Sequence, residues 1–230
     1  MARSATGPRP FLAAAAGAVA GVVACVGLAT TGWPKDDEPP PPGPRESAAA
    51  ASRFLVAWER SRLGTWAVEA RFDRVTAAGR TLRIDIHMAQ RPPDRLITGL
   101  GTVNSRRNGE RLACAPDAEG VVHCRPGGPA PPYADEVDAE LRILATYVRG
   151  PTAFYAVAYD GDCFRLRLRQ RVLSPPYGER ARFCFDPATG APTRSEITKV
   201  QARDRTVAVS VRPTVSDDDL DPEKWEAEPP

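Results

Sequence analysis

An uncharged apolar run, Phe11–Trp33, divides this chain into two unequal parts. It is 23 residues long, where a membrane-crossing helix needs about 20. Arg3 and Arg9 precede it, while Asp36, Asp37 and Glu38 follow. Basic residues stay on the cytoplasmic side, so the charge order predicts a stub over 1–10, a single-pass helix over 11–33 and a domain outside. Trp33 stands where an interfacial anchor belongs. Residues 34–46, with Pro39–Pro44 at their centre, read as an extended, semi-rigid linker. The extracytoplasmic domain is expected over 47–225, followed by a short tail over 226–230. Two alternatives leave the domain on the same side. Leu28-Ala29-Thr30-Thr31-Gly32 loosely supplies a signal-peptide cleavage site, and Val22-Val23-Ala24-Cys25 resembles a lipobox that would anchor the chain as a lipoprotein at Cys25.

Composition narrows the function. Lysine occurs only at 35, 199 and 224, so nearly all of the 31 basic residues are arginine, a bias that points to a high-GC genome. The net charge is only +2, and arginines alternate with acids throughout. A phosphate-binding groove would be more lopsided, which argues against a nucleic-acid partner.

Four cysteines lie beyond the apolar run, in a compartment where pairs oxidise and persist. Cys114 and Cys124 are equidistant from Glu119 across an Ala118-Glu119-Gly120 turn, which is hairpin register. In Cys163–Leu173, the residues Phe164, Leu166, Leu168 and Val172 share one face, and Cys163 shares the other with arginines. In Arg180–Asp186, Cys184 again sits on the arginine face. These positions predict the pairs Cys114–Cys124 and Cys163–Cys184. The loop Ser174–Gly178 is off centre between the second pair, so a bulge is expected.

The rest of the chain alternates. A helix is expected over Glu46–Arg62, capped by Ser47, with Phe54, Leu55, Trp58, Arg62 and Leu63 as its inner stripe. Trp66, Val68, Ala70 and Phe72 share one strand face; Leu82, Ile84, Ile86 and Met88 share another. Pro92-Pro93 stops the second strand, and Arg95–Val103 reads as the third. Asn108-Gly109 is a hairpin turn. Pro126–Pro132 is expected to break the sheet before a second helix over Asp135–Arg149, with Val137, Leu141, Leu144 and Val148 inward and Gly150-Pro151 as its stop. Strands resume at Phe154–Asp160, Cys163–Leu173, Arg180–Asp186, Thr193–Val200 and Arg203–Arg212. Ser216–Pro230 reads as a solvated acidic tail with Leu220 and Trp225 as its apolar residues. The fold class is therefore α+β: an N-terminal transmembrane helix, then a curved antiparallel sheet whose apolar face is covered by the two helices.

Catalytic and metal signals are weak. His87 alternates onto a polar strand face and His123 sits on a short hairpin strand, so both read as surface residues. No nucleophile arrangement such as GxSxG accompanies them. Cys114, His123, Cys124, Cys163 and Cys184 lack the short spacing of a structural zinc site. Asp217-Asp218-Asp219-Leu220-Asp221 lacks the glycine and trailing glutamate of a calcium loop. The reading is a non-enzyme with no cofactor and no metal.

Three segments carry a family resemblance: Arg91-Pro92-Pro93-Asp94-Arg95-Leu96, then Asn108-Gly109 with Leu112-Ala113-Cys114, then Cys184-Phe185-Asp186-Pro187-Ala188-Thr189-Gly190-Ala191-Pro192. Together with the order helix, meander, helix, meander, they resemble the LolA-like group. That group includes LolA carriers, LppX/LprG-type lipoproteins and the N-terminal half of RseB-type sensors. The resemblance implies a half-barrel sheet closed by helices around an apolar cavity that holds a lipid or lipidated ligand. Candidate lining residues are Trp66, Phe72, Ile84, Ile86, Met88, Phe164, Leu166 and Phe183. The same residues suit a filled core, which leaves a non-catalytic sensor or scaffold binding a protein partner at the cell envelope as the alternative.

Overall fold

Ser47 starts the first helix: its Oγ accepts the Ala50 N–H at 3.0 Å, supplying an acceptor that the first turn otherwise lacks. The computed structural model describes residues 45–99, 102–117, 122–170 and 172–224. The expected transmembrane helix, its lipoprotein and signal-peptide alternatives, the linker up to Pro44, the turn Ala118-Glu119-Gly120, Trp225 and the tail over 226–230 lie outside them. Among the described residues no helix is long and apolar enough to cross a membrane. Helix α1 (Ala48–Leu63) ends where the Gly64 N–H donates to the Arg60 carbonyl at 2.8 Å.

Six strands follow: β1 (Trp66–Thr76), β2 (Thr81–Arg91), β3 (Asp94–Gly99), β4 (Thr102–Arg107), β5 (Glu110–Pro116) and β6 (Val122–Pro129). After α2 (Tyr133–Val148) come β7 (Tyr155–Asp160), β8 (Cys163–Leu168), β9 (Arg180–Phe185), β10 (Pro192–Thr198) and β11 (Ala202–Arg212). All pair antiparallel in one 11-stranded sheet of order β6-β5-β4-β3-β2-β1-β11-β10-β9-β8-β7. The two meanders therefore meet where the first strand pairs with the last. The α+β class with two helices on an antiparallel sheet is what the alternation predicted.

Four expectations about the strands are corrected. The single strand expected over Arg95–Val103 is two, because Gly99 turns the chain at φ +145. A Cβ at Gly99 would stand 2.7 Å from Ile86 Cγ2, so only glycine lets this corner lie against β2. Pro126 does not break the sheet; β6 continues to Pro129, because an edge strand tolerates residues that cannot donate to the ladder. The strand after Cys163 ends at Leu168 rather than Leu173, and Leu173 is fully exposed. The longer loop that results is centred, so Cys163 and Cys184 pair in unbroken register with no bulge. Both expected disulfides are present, Cys114–Cys124 and Cys163–Cys184.

The helices cover one face of the sheet. Phe54, Leu55, Leu144 and Val148 pack there on Tyr155, Val157, Phe164, Leu166, Ala181 and Phe183. Leu63, expected on the inner stripe, instead lies on the solvent side, 52% exposed.

The opposite face is not uniformly charged. Near β7–β9 it carries Arg165 and Arg182 around Asp160, and Arg167 on Glu46. An apolar patch lies further along it, with Ala67, Ala89, Leu96 and Val103 packed under Leu220 and beside both cysteines of the first disulfide, while the rest of β1 and β2 on this face carries the pairs Arg71–Asp85 and Arg83–Asp73. The tail is thus a third cover, which corrects its reading as a solvated segment. Two short 3-10 turns, Asp218–Leu220 and Pro222–Lys224, hold it. Asp219 pairs with Arg212 at 2.5 Å and accepts from the Ser216 N–H and Oγ–H, both at 2.8 Å. His87, expected at the surface, is 1% exposed beneath this tail, its Nδ1 2.7 Å from Glu69 and its Nε2 donating to the Asp219 carbonyl at 2.9 Å. Its face was polar by residue type, yet the tail seals it. His123 does lie exposed, beside Asp117.

This anchor weakens in acid. Burial raises the Asp219 carboxyl, but its bonds from Arg212 and Ser216 outweigh that and hold it at about 2 instead of 3.8. A depressed carboxylate contributes stability that is fully present above pH 3.8 and lost as pH falls through about 2. Amide exchange at Leu220 should therefore accelerate over that window in the wild type. In Asp219→Asn the exchange should already be fast at neutral pH. Equal protection in the two proteins at pH 7 would contradict the anchoring role.

Candidate functional site

Strand pairing aligns the helix-side residues in rows. One row is Trp66, Gln90, Arg95, Arg106 and Arg111 across β1 to β5. The next is Val68, Met88, Ile97, Asn104 and Ala113. A third begins with Ala70 and Ile86, and a fourth with Phe72 and Ile84. A cation-rich row thus adjoins apolar rows on one face.

The polar row is tied to both helices. Gln90 is fully buried, and its Nε2 lies 2.7–2.8 Å from the carbonyls of Ser61, Arg62 and Gly64, serving the acceptors that end α1. The Tyr133 hydroxyl donates to the Arg62 carbonyl at 2.6 Å, and its ring lies between Arg62 and Arg106, 5.5 and 5.2 Å from their guanidinium carbons. Burial raises the Tyr133 pKa, so the hydroxyl stays protonated as a donor. Two carboxylates of α2 serve the arginines. Glu136 lies 2.8 Å from Arg106, 3.3 Å from Arg62 and 3.8 Å from Arg111. Glu140 lies 2.9 Å from Arg62 and accepts the Trp58 indole N–H at 2.7 Å.

Arg95 differs from its neighbours. Its Nε, like those of Arg62 and Arg106, is enclosed without a hydrogen-bond partner; unlike theirs, its guanidinium makes no ion pair with a described residue, although the residue keeps part of its surface in solvent. Desolvation, reinforced by Arg62, holds its guanidinium down at about 10.

Six of the eight candidate lining residues fall in two clusters, and Phe72 and Ile84 belong to neither. Phe164, Leu166 and Phe183 belong to the core under the helices. That core is filled by rings: Phe54 stands 5.4 Å from Phe164 and 5.8 Å from Phe183, while Trp58 and Tyr177 stand 5.6 and 5.2 Å from Phe183. Trp66, Ile86 and Met88 form a second cluster with Val68, Ala70 and Ala191. Trp66 is buried and donates its indole N–H to the Ser61 carbonyl at 2.9 Å; Ile84 is buried; Phe72, Ile86 and Met88 are half-buried. Ile86 and Leu166 lie in different clusters. Sequence reading singled out none of Gln90, Arg95, Arg106, Tyr133, Glu136 and Glu140 as a site. One signal was available: Gln90 and Arg95 interrupt an otherwise apolar strand face.

Outside the sheet, two open grooves adjoin along α1. One, of about 580 Å³, is lined by Val56, Leu63, Thr65, Thr189 and Pro213. The other, of about 440 Å³, lies between the helices and includes Leu55, Val56, Leu141 and Ala145.

No protein-family model matches the chain, and no curated protein matches it in sequence. Solved structures similar to it include a LolA superfamily protein from Nitrosomonas europaea, at 8% identity and TM-score 0.31, over 76% of this chain and 99% of that one. Lipoprotein LppX from Mycobacterium tuberculosis is similar at 7% identity and TM-score 0.38, over 75% and 98%. MucB, solved in complex with MucA(peri), is similar at 13% identity and TM-score 0.38, over 79% of this chain but 62% of that one. At these scores the likenesses carry no functional argument.

Proposed function

We propose that this chain is a non-catalytic, membrane-anchored domain outside the cytoplasm that binds a lipid or lipidated ligand on the helix side of β1–β4. The observation that supports this reading is the pair of apolar rows containing Met88, Ile97 and Ile86, half-buried beside the arginine row. The ring-filled core under the helices supports choosing this half of the sheet over Phe164, Leu166 and Phe183. The apolar run Phe11–Trp33 is the proposed anchor, with Cys25 lipidation as the alternative.

Native mass spectrometry of the full chain, extracted from its own membrane, tests the reading. Wild type should carry a lipid-sized adduct. Met88→Glu should lose it, because a carboxylate in an apolar row excludes a hydrocarbon chain, while a half-buried position lets the fold survive. An adduct equally abundant in both proteins, or absent from both, would reject the reading.

A second reading has its own observation. Val56, Leu63 and Ile143 on the helices are 62%, 52% and 53% exposed, and the two grooves share Val56 and Glu59. This surface suits a protein partner at the cell envelope. Crosslinking from position 56 or 63 in envelopes, with no product, would remove it.

A further inference from the structure

The charges around Tyr133 do not balance. Arg62, Arg106 and Arg111 share Glu136, while Glu140 is taken by Arg62 and the Trp58 indole. Arg95 lies on the same row, directly opposite Arg106, and its side chain makes no hydrogen bond or ion pair with any described residue. Like charges facing each other across strands are unfavourable, and an enclosed cation with no direct partner is more so; Glu140 and Glu136 act on Arg95 only from a distance, and both are engaged by other groups. The neighbouring row is apolar: Ile97 follows Arg95 on β3, and Met88 lies opposite Ile97 on β2. Rows two residues apart on a strand are separated by about 7 Å. That is the step from a head group to the first carbons of its chain.

We propose that Arg95 receives the anionic head group, a phosphate or carboxylate, of an amphiphile whose chain runs over Ile97, Met88 and Ile86. This rests on the lipid-binding reading above and names its head group. A guanidinium presents a planar fork of N–H donors that matches either anion in two-point contact. Arg106 and Arg111 on the same row add positive potential without being free themselves. The residual exposure of Arg95 leaves a route for the anion to reach it.

The test uses the full chain in neutral maltoside detergent and chloride buffer. Its thermal midpoint is measured with inorganic phosphate, dodecyl phosphate or dodecyltrimethylammonium. Wild type should gain about 5–10 °C at one hundred times the Kd of dodecyl phosphate, less with inorganic phosphate and nothing with the cation. Arg95→Met should have a higher midpoint than wild type without added anion, because it removes an unpaired charge, and should not respond to dodecyl phosphate. Arg165→Met, changed at an exposed arginine of the opposite face, should respond as wild type does. Equal gains in wild type and Arg95→Met would overturn the inference, as would a lower midpoint for Arg95→Met without anion. Inorganic phosphate matching dodecyl phosphate would overturn the chain contact. A wild type that retains membrane lipid but ignores both anions refutes the head-group assignment alone. One that retains no lipid and ignores all three probes refutes the lipid reading with it.

Discussion

Phe54→Ala is expected to destabilise the domain by about 3–5 kcal/mol. Phe54 is fully buried and is the ring on which the helix-side core converges, with Trp58, Phe164 and Phe183 all within 5.8 Å between centroids. The deletion removes transfer energy and leaves a cavity that rings on three sides are poorly placed to fill. Urea unfolding followed by circular dichroism measures the loss. A change below about 1 kcal/mol would mean that the aromatic core relaxes into the space, and that this half of the sheet has the plasticity a ligand pocket needs.

Glu136→Ala should cost a similar amount by a different route. Its carboxylate lies between Arg62 and Arg106, whose side chains are 5% and 9% exposed, and within 3.8 Å of Arg111. Removing one partner of buried pairs strands the cations, typically at about 3–5 kcal/mol. Arg95, already unpaired on the same row, adds to the repulsion. The loss should shrink when dodecyl phosphate is present, since an added anion supplies part of what Glu136 withdrew. Unfolding curves with and without that probe give both numbers. A loss under about 1 kcal/mol would show that Glu140 and solvent suffice.

How much was legible follows from how local each determinant is. Ser47, Asn108-Gly109 and the equal spacing of Cys114 and Cys124 about Glu119 act within a few residues. The helix start, the hairpin and the disulfide they predicted are all present. His87 failed because alternation reports only which residues share a face, not what lies over it. Its cover comes from Asp219, 132 positions away. The tail was misread for the same reason: a run of aspartates looks solvated until Arg212 and Ser216 are known to meet one of them. Arg95 is one of many arginines in the sequence. Only the registers that align it with Arg106, and the two glutamates of α2 already engaged elsewhere, set it apart.

The pairing of β1 with β11 has a consequence for synthesis. Each meander is built of neighbours in sequence and can form as soon as it is made, whereas Ala67 finds Arg212 only after all ten other strands have been made. Until then β1 and β10 are bare edges, long and open to strands of other chains. The last strand therefore acts as a zip between two preassembled halves. A chain cut short before Ala202 is left with two adhesive borders where the finished protein has its most protected seam.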